Sequence, residues 1–392
     1  MRTATVLAFA LVSACVAEID DEIDPDDPAW SEATEPSSPA ELDDASLDSD
    51  DDESESVDDA EDVTEIDGEM MPADDEDDGP ETATIAAALK YRNPLGPTCA
   101  DPGVVRIPGA NGPTFWAACT GKGFPLYSSK DLVTWKRKGQ IFTAATKPTW
   151  ANGNWWAPEV HRVGGNVVAY YTAFSPSRNK MCIGAATAKT MAGPFKDLGR
   201  PLVCDSKVSL IDANVHRAAD GKRYLYYKTD GNALRPQKKT IIYGHELRAD
   251  GLGFVGKRRA LLRNTLAWEG DVVEAPWVIR RGKYYYLFYS GFRYCNATYG
   301  VGVARSKSPL GPFTKRSAPI LKSNAKWTGP GHNSIVRTNG RAWIVYHAWQ
   351  GAHDCSDPGT PGRKLMLDPI TWKGGWPTVR SGKPSSAAHP AP

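Results

Sequence analysis

The sequence predicts an all-β protein, a five-bladed β-propeller preceded by a disordered acidic stalk. Three observations carry that expectation. First, an apolar residue, one spacer and an arginine recur five times, in "GVVR" ending at Arg106, "EVHR" at Arg162, "NVHR" at Arg217, "WVIR" at Arg280 and "SIVR" at Arg337, at separations of 56, 55, 63 and 57 residues. Second, each copy is followed by a Gly-containing turn and an aromatic strand: "GPTFWAAC", "GGNVVAYYTAF", "DGKRYLYYKTD", "RGKYYYLFYSG" and "NGRAWIVYHAW". Aromatic and β-branched runs between Gly and Asp turns favour strands, and hairpins repeated at near-constant spacing fit propeller blades. Third, charge is divided along the chain. From Glu18 to Glu81 there are 31 acids and no Lys or Arg, whereas beyond Glu81 there are 16 acids against 45 Lys and Arg.

The elements follow in order. Residues 1–15, "MRTATVLAFALVSAC", have one early positive charge and an apolar run too short to span a bilayer, as in a signal peptide. The end, Val12-Ser13-Ala14-Cys15, resembles a bacterial lipobox, so lipidation of Cys15 is the reading adopted, with ordinary cleavage near Ala17 as the alternative. Either way the protein is expected to be exported, as an outer-membrane lipoprotein or secreted, with no membrane contact except through Cys15. Residues 16–87 are too acidic and too poor in aromatics to offset their ordering entropy, and are expected to be a disordered linker. Residues 88–383 form the propeller domain, and 384–392 a disordered tail. Six further cysteines, Cys99, Cys119, Cys182, Cys204, Cys295 and Cys355, suggest up to three disulfides, with sequence neighbours paired. No CxxC pair is present, which argues against a zinc ribbon.

A propeller brings the inner strands of all blades to one axis, so equivalent positions converge at one mouth. Five residues before the five repeat arginines stand Asp101, Ala157, Asp212, Ala275 and His332, with Glu274 one place earlier in its repeat. Turn-capping is the ordinary role of a lone Asp. Four polar groups in register instead predict an active site. Two separated carboxylates can cleave a glycosidic bond, one protonated to donate to the leaving oxygen and one ionised to activate water. A third can hold the acid's pKa up by like-charge repulsion.

On these motifs the stretch from about Asn93 to Val379 resembles glycoside hydrolase family 43. "CADPGVVR" is similar to its general-base motif, "SLIDANVH" to that of the pKa-modulating aspartate and "VVEAPWV" to that of the general acid. The resemblance implies Asp101 as base, Asp212 as modulator and orienter, and Glu274 as acid, with inversion of configuration. It also implies His332 beneath the sugar, with a hydrated calcium beside it as in arabinanases, and Arg363 on sugar hydroxyls. No cofactor is needed for the chemistry. Trp156, with Trp155 next to it, is a candidate stacking residue. Glu159 is read as positioning, and Glu269 and Asp271 rank below Glu274 because they lie outside the repeat register. The expected substrate is an α-L-arabinofuranosidic linkage in plant cell-wall arabinan, which is carried on pectin. A β-xylosidic substrate is the alternative, and a non-catalytic sugar-binding propeller the alternative of another class. A monomer is expected, with no nucleic-acid partner.

Overall fold

The structure, a computed structural model, describes residues 90–356 and 362–392. The expected signal segment and acidic linker lie outside the described residues. Five sheets follow one another along the chain, each with its strands in sequence order. Blade 1 comprises Ala100–Ile107, Thr114–Thr120, Pro125–Ser129 and Lys136–Gln140; blade 2, Trp156–Val163, Asn166–Ser175, Lys180–Ala188 and Lys196–Asp197. Blade 3 comprises Leu210–Arg217, Arg223–Thr229, Ile241–Leu247 and Phe254–Arg263. Blade 4 comprises Val273–Arg281, Tyr284–Gly291, Gly300–Ser306 and Thr314–Lys315, with Leu321–Lys322 also on its third strand. Blade 5 comprises Trp327–Thr338, Arg341–Gln350, Lys364–Lys373 and Trp376–Val379. The first strand of each blade packs on the first strand of the next, and that of blade 5 on that of blade 1, which closes the ring.

The aromatic second strands predicted from the repeats are the buried ones. Tyr170, Tyr171, Tyr226, Tyr227, Tyr289 and Tyr346 are fully buried, and apolar clusters fill the spaces between blades 1 and 2, 3 and 4, 4 and 5, and 5 and 1. Burying one such side chain contributes roughly 1.5–3 kcal/mol, so the blade-to-blade faces hold the ring together. Gly103 allows the closest approach: a Cβ there would collide with the Pro158 carbonyl oxygen of the adjoining inner strand. Blades 1 and 2 could not then touch near the axis.

The three disulfides join sequence neighbours, Cys99–Cys119, Cys182–Cys204 and Cys295–Cys355. Closing loops of 20, 22 and 60 residues contributes about 3–4 kcal/mol each by the chain-entropy argument.

One boundary needs correction. Residues 384–392, expected to be a disordered tail, belong to the fold. His389–Pro390 pairs antiparallel with Lys90–Tyr91, and the His389 ring meets that of Tyr91 edge-on. Ser385 is buried, accepts a hydrogen bond from Asn93 Nδ2 (2.9 Å) and donates its N–H to Asp368 Oδ2 (3.2 Å). These contacts join the two ends of the domain, and composition alone does not reveal them. Among the described residues the helices are two single 3₁₀ turns, Gly231–Ala233 and Ala267–Glu269, and no helix is long and apolar enough to cross a membrane.

Candidate active site

The five ring positions share an unusual backbone. Asp101, Ala157, Asp212, Ala275 and His332 all have positive φ, between 44° and 61°. The left-handed region costs a non-glycine residue roughly 1–2 kcal/mol, so something must impose it at all five places. The register of every inner strand shifts at that point, as in a β-bulge, which turns the side chain out of strict alternation.

The backbone N–H of each ring residue is held by the preceding blade. Ala157 donates to Thr120 Oγ1 (2.8 Å), Asp212 to Thr172 Oγ1 (3.2 Å), His332 to Ser290 Oγ (2.8 Å) and Asp101 to His347 Nδ1 (3.1 Å). Ala275 donates instead to the Asp212 carboxylate, at Oδ2 (3.0 Å). The ring is thus a closed circuit, each blade setting the next.

The predicted residues meet there. Asp101 is buried, and its carboxylate accepts from Thr120 Oγ1 (2.6 Å) and Arg363 Nη1, with His332 Nδ1 and His347 Nδ1 at 3.3 and 3.4 Å from Oδ1. Burial alone would raise its pKa, but Arg363, then the two histidines and the Thr120 hydroxyl, pull it well below the usual carboxylate range. Asp212 behaves oppositely. Burial, opposed by Lys228 and assisted by the Asp101 charge, pushes it up from 3.8 to about 7. Glu274 is also raised, by burial foremost, against Lys228 and with Asp212 adding to the rise. Its Oε2 accepts from Lys228 Nζ (3.1 Å) and its Oε1 from the Tyr299 hydroxyl (2.8 Å). Three carboxyl groups therefore differ in their hold on a proton. Arg363 holds Asp101 toward the anion, while burial pushes Asp212 and Glu274 toward the protonated form, a difference of the kind that acid–base catalysis uses.

The other expected residues divide. His332 faces Asp101, and burial lowers its pKa despite that carboxylate. Arg363, expected on sugar hydroxyls, pairs with Asp101 and lies over the Tyr294 ring at 4.7 Å. Trp156 is 36 % exposed one place before ring residue Ala157, while Trp155 packs against Phe124 and Phe142 in the core. Glu159 is buried and bonded to His161 Nε2 (2.7 Å) and Asn214 Nδ2 (3.0 Å), and Asn214 in turn accepts the Val278 N–H. It joins the inner strands of blades 2, 3 and 4. Glu269 is fully buried in a structural role, accepting from the Thr265 and Leu266 N–H groups, the Tyr289 hydroxyl and Lys315. Asp271 pairs with Arg293 at 2.8 Å and accepts from Gln237.

Lys228, Tyr299, Thr120 and His347 belong to the site and were not anticipated. A lysine inside the aromatic strand "YLYYKTD" was the available signal for the first. A metal has little support in the side chains. Among the described residues no group of three His, Cys, Asp or Glu has the spacing to hold an ion. Around His332 an Asp101 oxygen is already taken by Arg363, whereas calcium seeks six to eight oxygens. An ion there would be bound almost wholly by water, and no step is routed through one.

The family model for glycosyl hydrolases family 43 matches residues 91–377, nearly the whole propeller. The chain belongs to that family. This hydrolase is 28 % identical over 297 residues to the extracellular exo-α-(1→5)-L-arabinofuranosidase of Cellvibrio japonicus, covering 68 % of this chain and 83 % of the relative. It is 28 % identical over 292 residues to the extracellular endo-α-(1→5)-L-arabinanase 1 of Bacillus subtilis, covering 68 % and 84 %. A crystal structure of a thermostable family-43 glycoside hydrolase superposes with a TM-score of 0.69 at 29 % identity, over 77 % of this chain and 99 % of the other. The five-bladed ring is that of a family-43 glycoside hydrolase.

Proposed function

We propose that this glycoside hydrolase cleaves α-L-arabinofuranosidic linkages of arabinan with inversion of configuration. The observation that carries the mechanism is the arrangement of its carboxyl groups, Asp101 paired with Arg363 across the mouth of the ring from Asp212 and Glu274, the latter held by Lys228 and Tyr299. Asp101, held ionised by Arg363, takes a proton from water as the water attacks the anomeric carbon. Glu274, whose pKa burial and Asp212 raise, gives its proton to the departing oxygen. Asp212, when ionised, adds to the rise in the Glu274 pKa and, through the Ala275 N–H, holds the strand from which Glu274 projects. Trp156 offers an exposed ring face to a sugar near the mouth. The relatives named as an arabinofuranosidase and an arabinanase support the substrate.

Export belongs to the same proposal, supported by relatives named extracellular and by the leader-like residues 1–15, with a lipid anchor at Cys15. A hydrated calcium beside His332 rests on the family resemblance alone, and activity unaffected by chelation would remove it. The deciding experiment is product analysis on debranched arabinan, arabinoxylan and an aryl arabinofuranoside, with proton NMR of the first sugar released. Inverted arabinose from arabinan is expected. Release of xylose alone would replace the substrate, and retained configuration would overturn the mechanism.

A further inference from the structure

In each blade one second-strand residue pairs with the residue just before the ring position. These residues are Thr120, Thr172, Lys228, Ser290 and His347, opposite Ala100, Trp156, Ile211, Glu274 and Gly331. Four of them accept the next blade's ring N–H. An ammonium has no lone pair and cannot. At Lys228 the series of second-strand acceptors is therefore interrupted, and the Ala275 N–H that it would have served goes to Asp212.

The lysine takes up other contacts. Its side chain is fully buried, and Nζ touches Glu274 Oε2 (3.1 Å), Asp230 Oδ1 (3.2 Å) and the Asn232 side-chain oxygen (3.1 Å). Three N–H donors meet three acceptors, as a buried ammonium requires. One residue exchange in a five-fold pattern thus makes two links, Lys228 to Glu274 and Asp212 to Ala275, both on the segment that presents the acid.

We propose that Lys228 is a positioning residue for the hydrolysis, tying down one oxygen of Glu274 and setting its proton affinity, with Asp230 tuning the charge that Glu274 feels. The proposal rests on Glu274 being the general acid. A cation on Oε2 excludes a proton there, which leaves Oε1 as the protonated oxygen, and the Tyr299 hydroxyl, both donor and acceptor, follows the proton by turning. During cleavage the proton passes from Oε1 to the leaving oxygen, and Glu274 becomes an anion that Lys228 stabilises. The titratable and charged groups facing Glu274 are Lys228 and Asp212 from blade 3, Tyr299 from blade 4 and His332 from blade 5, with Asp230 behind Lys228 and Asp101 behind His332.

The test is the pH profile of kcat/KM for the full chain, its Asp230→Asn, Lys228→Met and Lys228→Arg variants, on arabinan and on an activated aryl arabinofuranoside. The alkaline limb reports loss of the acid's proton. Lys228→Met removes a cation, so the limb should move to higher pH by about one unit or more. Activity on arabinan should fall roughly tenfold or more, and on the aryl substrate far less. Asp230→Asn leaves the lysine's charge less neutralised, so its limb should move to lower pH. Lys228→Arg keeps the charge and should leave the limb near that of the parent. Opposite movements in Asp230→Asn and Lys228→Met support the proposal; movement in one direction, or none, overturns it. Should Lys228→Met fail to fold by circular dichroism, Asp230→Asn decides alone, and an unmoved limb refutes. Glu274→Gln separates the two levels, because equal losses on both substrates would remove the acid assignment itself.

Discussion

Asp212 should make the hydrolase less stable as pH rises, and Asp212→Asn should remove that dependence. Its pKa is pushed from 3.8 to about 7 by burial, against the attraction of Lys228 and with the Asp101 charge adding to the rise. A carboxyl group with a raised folded pKa binds its proton more tightly in the native state. Stability is therefore highest below about pH 3.8 as far as this group is concerned, and falls as pH climbs toward 7. Beyond that the cost is constant. A difference of about three pKa units corresponds to about 4 kcal/mol at full ionisation. Asn retains an oxygen to accept the Ala275 N–H, so the ring geometry survives the exchange. At pH 8 the variant should be more stable by up to about 4 kcal/mol, near 6 °C in melting temperature for a domain of about 300 residues, while losing activity. At pH 4 the two proteins should be nearly equal. Thermal unfolding followed by circular dichroism from pH 4 to 8 measures the difference. A stability gap that does not change with pH would refute the reasoning, because Asp212 would then titrate alike in both states.

Other expectations can be checked alongside it. Asp101→Asn and Glu274→Gln should each reduce arabinan hydrolysis about 10²–10⁴-fold without loss of fold, and an activated aryl leaving group should restore much of the rate to Glu274→Gln only. Trp156→Ala should raise KM for arabino-oligosaccharides several-fold and leave the melting temperature unchanged, because the ring is 36 % exposed; an unchanged KM would remove it from substrate binding. Between Ala275 and His353 the chain has no Asp or Glu and 12 Lys or Arg, so the surface of blades 4 and 5 should retain polygalacturonate in affinity electrophoresis at low salt and release it near physiological salt. Retention that ignores salt would exclude an electrostatic origin.

The propeller and the ring were legible because their signals are local. Each aromatic strand follows its own turn, and each ring residue lies five places before an arginine in the same repeat. Glu274 stands one position before its ring residue, Ala275, opposite Ser290 where the register shifts, and reaches the cluster from there. The remainder depends on pairing between distant residues. Lys228 gains its meaning only opposite Ile211 and against Glu274, Tyr299 only where Gly331 leaves room for its ring, and Arg363 only across 262 residues from Asp101. Ser385 and His389 mislead for the same reason, since their partners Asn93 and Tyr91 lie at the other end of the domain. Glu269 could not be placed by composition, because its ion pair with Lys315 forms across blade 4.

The way the ring N–H groups are held bears on how such a site can be altered. At all five positions the backbone is anchored by a side chain of the neighbouring blade, four times from its second strand and once from its ring residue, and at none by the residue's own side chain. Shape and chemistry are thereby uncoupled. Alanine occupies two positions and aspartate or histidine the others, on nearly the same φ. Ala157 is the natural place to graft a new functional group, since Thr120 fixes its backbone whatever the side chain. Ala275 is not, because its anchor is Asp212 itself, and any remodelling there would disturb the acid next to it. The scaffold thus separates into a part that can be retooled and a part locked to the reaction it already performs.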